Sequence, residues 1–376
     1  VPRADLVRIH ASSGTTGKPT VVGYTAHDLR VWAEVCARGL AASGAQPGDV
    51  FQNAYGYGLF TGGLGFHYGA ELMGLTVVPV SGGNTERQIM LLADFGARGI
   101  ACTPSYALTL AEALAARGIA PGTLNLRYGV LGAEPWTEAM RDSIEALLGI
   151  DAVNVYGLSE VIGPCVSNEC AEGKNGAHVF EDHFLVEVVD PYTGAPVPPG
   201  QTGELVFTTL TKEAQPVVRY RTGDIAALNP ELCSCGRTHV RMSRVLGRTD
   251  DMLIIRGINV YPSQIEAALV GMPEVSPHYQ LLVTRERTLD ELEVKIEVSD
   301  GFAAQLRGVL SGDDPRVVEL AGRCREKLRG VLGIAAKVTP VAPGALPRSE
   351  GGKLRRVVDT RPIYAGAQPA ASQGRR

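Results

Sequence analysis

Between Asp49 and Val155, short apolar runs alternate with stretches whose apolar residues recur at three and four positions. Val50-Phe51, Thr76 to Val80, Gly99 to Cys102, Tyr128 to Leu131 and Ala152 to Val155 predict strands. Arg87 to Phe95, Ser105 to Arg117 and Thr137 to Leu148 predict amphipathic helices between them. Strand, helix, strand in this cadence implies a parallel sheet covered on both faces, with ligands outside the carboxyl ends of its strands. After Glu160 the pattern shortens: Phe184 to Val189 alternates with period two, Asp190 to Gly194 is a turn, and Gly203 to Thr208 is another strand. A β subdomain over about 161–247 is expected. The polar, glycine-containing stretch Gly247 to Asp251 then opens a new α+β pattern. It has strands at Met252 to Ile255, Tyr279 to Val283, Leu292 to Val298 and Ala336 to Val341, and helices at Pro262 to Leu269 and Val317 to Leu332. The chain thus reads as α/β, with a large domain 1–247 (α/β over about 1–160), a boundary at 248–252 and a small α+β domain 253–364. The tail 365–376, rich in Ala, Gly and Gln, reads as disordered.

A chain of 376 residues can bury more than one core, and its 45% hydrophobic and 20% charged content is that of a soluble globular protein. A net charge of -4 and a pI near 6.0 give no overall attraction to nucleic acid or to an anionic membrane. There is no secretory h-region and no apolar run of membrane-spanning length, which points to the cytoplasm. Seven cysteines, an odd number in a large chain, argue against a secreted disulfide framework and leave thiols or metal ligands.

Three loops leaving predicted strands are chemically unusual. The first, Ser12-Ser13-Gly14-Thr15-Thr16-Gly17-Lys18, follows the apolar run Leu6 to Ile9. Its glycines let backbone N–H groups approach phosphate oxygens, and its hydroxyls and one lysine suit the same anion. It is not a Walker A loop, since Ser12 stands where the first glycine is required and Pro19 where a Ser or Thr is required. A plain turn is the competing reading. The other two are Gly132-Ala133-Glu134-Pro135 and Tyr156-Gly157-Leu158-Ser159-Glu160. Separately, Cys233-Ser234-Cys235 is a tight pair, with Cys170 and His178 upstream. Three thiolates and an imidazole suit tetrahedral zinc, although the spacing is not that of a standard finger and free buried thiols are common.

Taken with Ala54 to Gly63, Tyr220-Arg221-Thr222-Gly223-Asp224 and Gly247 to Pro262, these segments closely resemble the phenylacetate–coenzyme A ligases. That family belongs to the adenylate-forming superfamily of acyl-CoA synthetases, luciferases and peptide-synthetase adenylation domains. The resemblance covers nearly the whole chain, but it also implies a segment of several dozen residues ahead of the Ser/Thr/Gly loop that this sequence lacks. It implies the adenylate-forming fold, with a mobile small domain. The activity implied is ligation of an aryl acid to coenzyme A through an acyl-adenylate, using ATP and Mg²⁺ and releasing AMP and pyrophosphate.

The resemblance assigns Ser12, Ser13, Gly14, Thr15, Thr16, Gly17 and Lys18 to the β and γ phosphates, and Glu160 to Mg²⁺. Ala133, Glu134, Pro135, Tyr156 and Gly157 would flank the adenine; Asp224 would accept from the ribose hydroxyls, and Arg248 would reach the ribose or phosphate. Lys353 would be the catalytic lysine, Asp250 the hinge within 248–252, and Arg256 with Gly257 the coenzyme A channel. Tyr55, Tyr57, Phe60, Ala133 and Pro135 would line an apolar acyl pocket. Bland readings compete: Glu160 as a helix cap, Asp224 as a turn residue, Lys353 as a surface lysine and the aromatics as plain core. Cys170, His178, Cys233 and Cys235 remain the zinc candidates. Partners implied are the small molecules alone, with no nucleic acid and no membrane; a homodimer is compatible. A benzoate- or anthranilate-type ligase is the alternative within the fold, and a nucleotide- or carrier-binding domain without turnover is the alternative outside enzymes.

Overall fold

The predicted alternation is realised in a computed structural model that describes residues 1–12, 20–249, 253–256, 258–286, 289–306, 310–349, 354 and 356–361. The chain divides into two units: Val1–Met252 with Pro347–Leu354, and Leu253–Leu346 with Arg355–Arg376. Of the stretch expected as the small domain, Arg348 and Leu354 group with the first unit. Within that unit Arg348 Nε donates to Glu112 at 3.0 Å, and the Leu354 N–H donates to Glu134 at 3.3 Å.

The first unit opens with a hairpin of β1 (Arg8–Ala11) and β2 (Val21–Tyr24), followed by α1 (Ala26–Ala42). Thr25 and Asp28 form a reciprocal capping box that starts α1. Next come β3 (Val50–Asn53), α2 (Gly62–Met73), β4 (Thr76–Val78), α3 (Thr85–Asp94), β5 (Gly99–Cys102) and α4 (Pro104–Ala116). After these lie β6 (Tyr128–Gly132), α5 (Glu138–Leu148), β7 (Asp151–Leu158), β8 (Gly163–Asn168) and β9 (Ala177–Val179). The remaining strands are β10 (Phe184–Val189), β11 (Gly203–Thr209), β12 (Tyr220–Ala226), β13 (Leu228–Asn229), β14 (Arg241–Met242) and β15 (Gly247–Arg248).

Nine of these strands form one sheet in the order β13-β14-β9-β8-β7-β6-β5-β3-β4. Neighbours from β7 through β4 are parallel, as expected, but those from β7 to β13 are antiparallel. The sheet is thus mixed, with the expected parallel α/β half running from β7 to β4. Part of the region expected as a separate β subdomain extends this sheet, and only β10-β11-β12-β15 form their own. The reversal happens where β7 runs on through Leu158 and a short turn returns it as β8, so Tyr156 to Leu158 are strand and not loop. Gly157 is needed for that close return, since a Cβ there would stand 2.0 Å from the Gly163 carbonyl oxygen.

The central parallel strands β5 and β6 are buried on both faces, whereas β4 lies at the edge and is half exposed. Ala101 and Val130 pack with Trp32, Val35 and Phe66 of α1 and α2, while Ile100 and Leu131 pack with Leu92, Tyr106 and Ile144 of α3, α4 and α5. The periodicity reading missed α1 and α2. Glycines weaken the helical signal of α2, yet Gly69 is where α1 approaches so closely that a Cβ would meet Cys36 at 2.4 Å.

The second unit contains a β16 (Leu253–Ile255) and β17 (Ile258–Val260) hairpin, α6 (Pro262–Leu269), β18 (Val275–Glu286), β19 (Leu289–Val298) and α7 (Asp300–Gln305). It continues with α8 (Pro315–Leu332), β20 (Lys337–Val341) and β21 (Val357–Asp359). Its sheet runs β20-β19-β18-β21, and Leu281, Val294, Ile265, Leu320, Cys324 and Leu328 meet in its core. Among the described residues no helix is long and apolar enough to cross a membrane.

Candidate active site

Strands β12 and β15 pair with Asp224 opposite Arg248, and Tyr156 on β7 reaches the same point from the main sheet. The Asp224 carboxylate accepts from the Tyr156 hydroxyl at 2.7 Å and from Arg248 Nη1 at 2.8 Å, and only 6% of the residue is exposed. Burial and the Asp224 charge push the Tyr156 hydroxyl well above its ordinary pKa, so it is a neutral donor. Asp224 reaches this position because Gly223 takes φ +78° and its N–H is held by Glu204. Three residues assigned to the nucleotide are therefore brought together from two sheets, in a constellation that presents a fixed acceptor beside a guanidinium.

Around this knot Ala133 leaves the end of β6 at φ +71°, a left-handed conformation costing about 1–2 kcal/mol for a residue with a Cβ. Glu134 then accepts from the Ser105 N–H, in the first turn of α4, at 2.7 Å, and its other oxygen takes the Leu354 N–H. Pro135 is exposed. Glu160 lies on the turn between β7 and β8, half-buried, and among the described residues none donates to its carboxylate. Its main-chain carbonyl accepts from Lys212 Nζ at 3.0 Å. Sequence reasoning missed Lys212, which is 6% exposed, and burial pulls its ammonium down to about 8 against the raising charges of Asp28 and Glu160. Its surroundings, Thr-Leu-Thr-Lys-Glu-Ala, carry no periodicity that would announce a buried lysine.

Ser12 donates its backbone N–H to the Thr20 carbonyl at 2.9 Å and accepts the Thr20 N–H on its Oγ at 3.0 Å. Ser13, Gly14, Thr15, Thr16, Gly17, Lys18, Asp250, Gly257 and Lys353 lie outside the described residues. Of the acyl-pocket candidates, Tyr55 is packed as core, 2% exposed with its ring stacked on Phe66 at 5.7 Å. Tyr57 and Phe60 are half-buried, and Tyr57 is held by Asn53 at 2.9 Å and His67 at 3.1 Å. In the second unit Arg256, at φ +53°, donates through Nε to the Asp290 carbonyl at 2.9 Å.

The four zinc candidates also meet. One ligand atom from each of Cys170, His178, Cys233 and Cys235 lies within 4.8 Å of the others, with a Cys170–Cys233 sulfur separation of 3.7 Å and 3.5 Å from Cys235 Sγ to His178 Nε2. Zinc at about 2.3 Å from sulfur and 2.0–2.1 Å from nitrogen sets tetrahedral edges of about 3.6–3.8 Å, which the 3.7 and 3.5 Å separations suit. The Gly173 N–H donates to Cys170 Sγ at 3.3 Å, and a Cβ on Gly173 would stand 2.9 Å from Cys233 Sγ.

A covered α/β sheet and a second sheet that together bring a hydroxyl, a carboxylate and a guanidinium to one point suit a nucleotide-binding enzyme. The profile of the AMP-binding enzyme family matches residues 1–210, and that of the AMP-binding enzyme C-terminal domain matches 257–361. The phenylacetate-coenzyme A ligase of Thermus thermophilus is 62% identical over 96% of this chain and 82% of its own length. That of Escherichia coli is 52% identical over 96% and 81%. The solved 2-hydroxyisobutyryl-CoA ligase, in the postadenylation state in complex with 2-HIB-AMP, superposes with a TM-score of 0.87 at 30% identity, covering 96% of this chain and 74% of that one. The chain belongs to the AMP-binding, adenylate-forming enzymes, in their phenylacetate-coenzyme A ligase branch.

Proposed function

We propose that this chain joins phenylacetate to coenzyme A at the expense of ATP. In the first step a carboxylate oxygen of phenylacetate bonds to the α-phosphorus and the bond to the bridging oxygen breaks, giving phenylacetyl-adenylate and pyrophosphate. In the second the coenzyme A sulfur attacks the acyl carbon and AMP leaves. The observation that carries this reading is the Tyr156–Asp224–Arg248 knot, which fixes a carboxylate acceptor suited to ribose hydroxyls. Both reactants of the first step are anions, so the site must offset their repulsion.

Glu160 would hold Mg²⁺, which when bound neutralises phosphate charge; a half-buried carboxylate with no described donor has the valence for it. Lys353 would neutralise charge between the carboxylate and the α-phosphate. Support for its neighbourhood comes from Arg348 and Leu354, which lie on either side of it in sequence and are bound to Glu112 and Glu134 within the first unit. Ser12 through Lys18 would receive the outer phosphates, Ala133 to Pro135 the adenine, and Tyr57 and Phe60 the aryl ring. Arg256 and Gly257 would face coenzyme A, and Asp250 would be the hinge. Cys170, His178, Cys233 and Cys235 would hold a structural zinc.

The test is product analysis with ATP, Mg²⁺, coenzyme A and a panel of phenylacetate, benzoate and anthranilate. Phenylacetyl-CoA, AMP and pyrophosphate in equal amounts are expected, with phenylacetate preferred; preference for benzoate or anthranilate would overturn the substrate, and no thioester from any acid would overturn the reaction. Lys353→Ala serves as control: it should lose acyl-adenylate formation and keep thioester formation from supplied acyl-adenylate.

A further inference from the structure

Lys212 is a buried cation without a direct counter-ion among the described residues. It is 6% exposed, and no carboxylate forms an ion pair with it among the described residues. Burying an ammonium costs several kcal/mol unless something compensates. The nearby Asp28 carboxylate is already committed: Oδ1 accepts the Glu213 N–H at 2.7 Å, and Oδ2 accepts those of Ala214 at 3.0 Å and Thr25 at 2.9 Å. What Lys212 does touch is the main-chain carbonyl of Glu160, at 3.0 Å, while its Nζ lies 5.3 Å from the centre of the Tyr24 ring.

The same turn is held by Tyr24, whose hydroxyl donates to the Ile162 carbonyl at 2.8 Å, and by the contact of Thr61 Oγ1 with Ser159 Oγ at 3.2 Å. The segment carrying Lys212 is itself stitched to the return strand of the Ser/Thr/Gly loop. Gln215 Oε1 accepts the Gly23 N–H at 2.6 Å, and Glu213 accepts the Thr25 hydroxyl at 2.7 Å. One short segment therefore braces both the phosphate-side hairpin and the turn that carries Glu160.

We propose that Lys212 is a positioning residue for the nucleotide–metal step: it holds the Glu160 turn by its carbonyl and places a buried positive charge behind the Glu160 carboxylate. This rests on the reading of Glu160 as the Mg²⁺ residue. A turn held from behind keeps its carboxylate aimed outward with little entropy left to lose, and the ammonium offsets part of the negative charge that ATP meets there.

The test uses Lys212→Met, which keeps the stem against Tyr24 and removes both donor and charge, with Glu160→Gln beside it. Titration calorimetry of ATP binding across a Mg²⁺ series is the readout that does not depend on turnover. For Lys212→Met we expect the Mg²⁺ concentration giving half-maximal ATP affinity to rise about 10- to 100-fold, with the melting temperature unchanged or raised. Adenylate formation should fall with it, while the KM for phenylacetate stays within about two-fold. Should the Met variant not fold, Lys212→Gln is expected to shift the Mg²⁺ dependence in the same direction. An unshifted Mg²⁺ dependence in the folded Lys212 variant, beside a shift in Glu160→Gln, overturns the positioning role alone. No shift in Glu160→Gln overturns the parent reading of Glu160.

Discussion

The thiol cluster and the Glu160 turn are the two places in the first unit where candidate metal ligands stand, and they are built in opposite ways. Cys170, His178, Cys233 and Cys235 supply three soft thiolates and an imidazole from three separate stretches, three of the residues buried, and as a set of four would leave no position for a further ligand. Glu160 supplies one hard oxygen on a half-buried turn, with a lysine braced behind it. A closed set of four makes the metal part of the folded structure; a lone carboxylate requires most of the coordination shell to arrive with the nucleotide. The first site should be judged by stability and the second by ATP.

The largest expected effect lies at the closed set. Purified protein should carry about one equivalent of zinc, and Cys233→Ser combined with Cys235→Ser should reduce it below about a tenth and lower the melting temperature by at least about 5 °C. Elemental analysis and thermal denaturation of the same samples check this. A metal-free protein of unchanged stability would reduce the cluster to ordinary thiols. At the open site, Glu160→Gln should slow acyl-adenylate formation by about 100- to 1,000-fold while leaving zinc content and melting temperature as they were. Rapid-quench measurement of adenylate decides it, and a fall in zinc content would show that the two regions are not independent.

Asp224→Asn comes next. Asn offers one oxygen and an N–H₂ where Asp224 offers two acceptors, so either Tyr156 or Arg248 is left facing a donor. The KM for ATP should rise about 10-fold or more with the KM for phenylacetate unmoved, read from initial rates.

How far such contrasts could be read beforehand differs by residue. The Ser/Thr/Gly loop and the Cys233-Ser234-Cys235 pair stood out because unusual residue types were grouped locally, whereas Asp224 was singled out by resemblance alone. The parallel half of the sheet was legible because its central strands β5 and β6 are buried and apolar and alternate with amphipathic helices. The antiparallel half was not, since a turn of a few residues after Leu158 decides whether the chain returns into the same sheet. Helix α2 hid behind the glycines that let it pack on α1, and Lys212 hid because the groups that bury it, Tyr24, Asp28 and the Glu160 carbonyl, lie about 50 or more positions away in sequence. Local chemistry leaves a signal in composition; long-range burial of a single charge leaves none.

The smallest effect separates holding from binding within the nucleotide knot. Tyr156→Phe deletes one hydroxyl, which donates to Asp224 at 2.7 Å, and retains the ring that stacks on Phe207 at 6.0 Å. Because that hydroxyl stays protonated well past its ordinary range, the change removes a neutral donor and alters no charge at any pH of interest. Arg248 still anchors the other carboxylate oxygen, so Asp224 keeps its place and loses about 1 kcal/mol of orientation, a rise of roughly five-fold in the KM for ATP. The rate of adenylate formation at saturating ATP should hardly change, since a uniformly lost binding interaction raises KM without lowering kcat. If the KM for phenylacetate rose in its place, Tyr156 would belong to the acyl side of the site, and the knot would be positioning the wrong substrate for the scheme proposed.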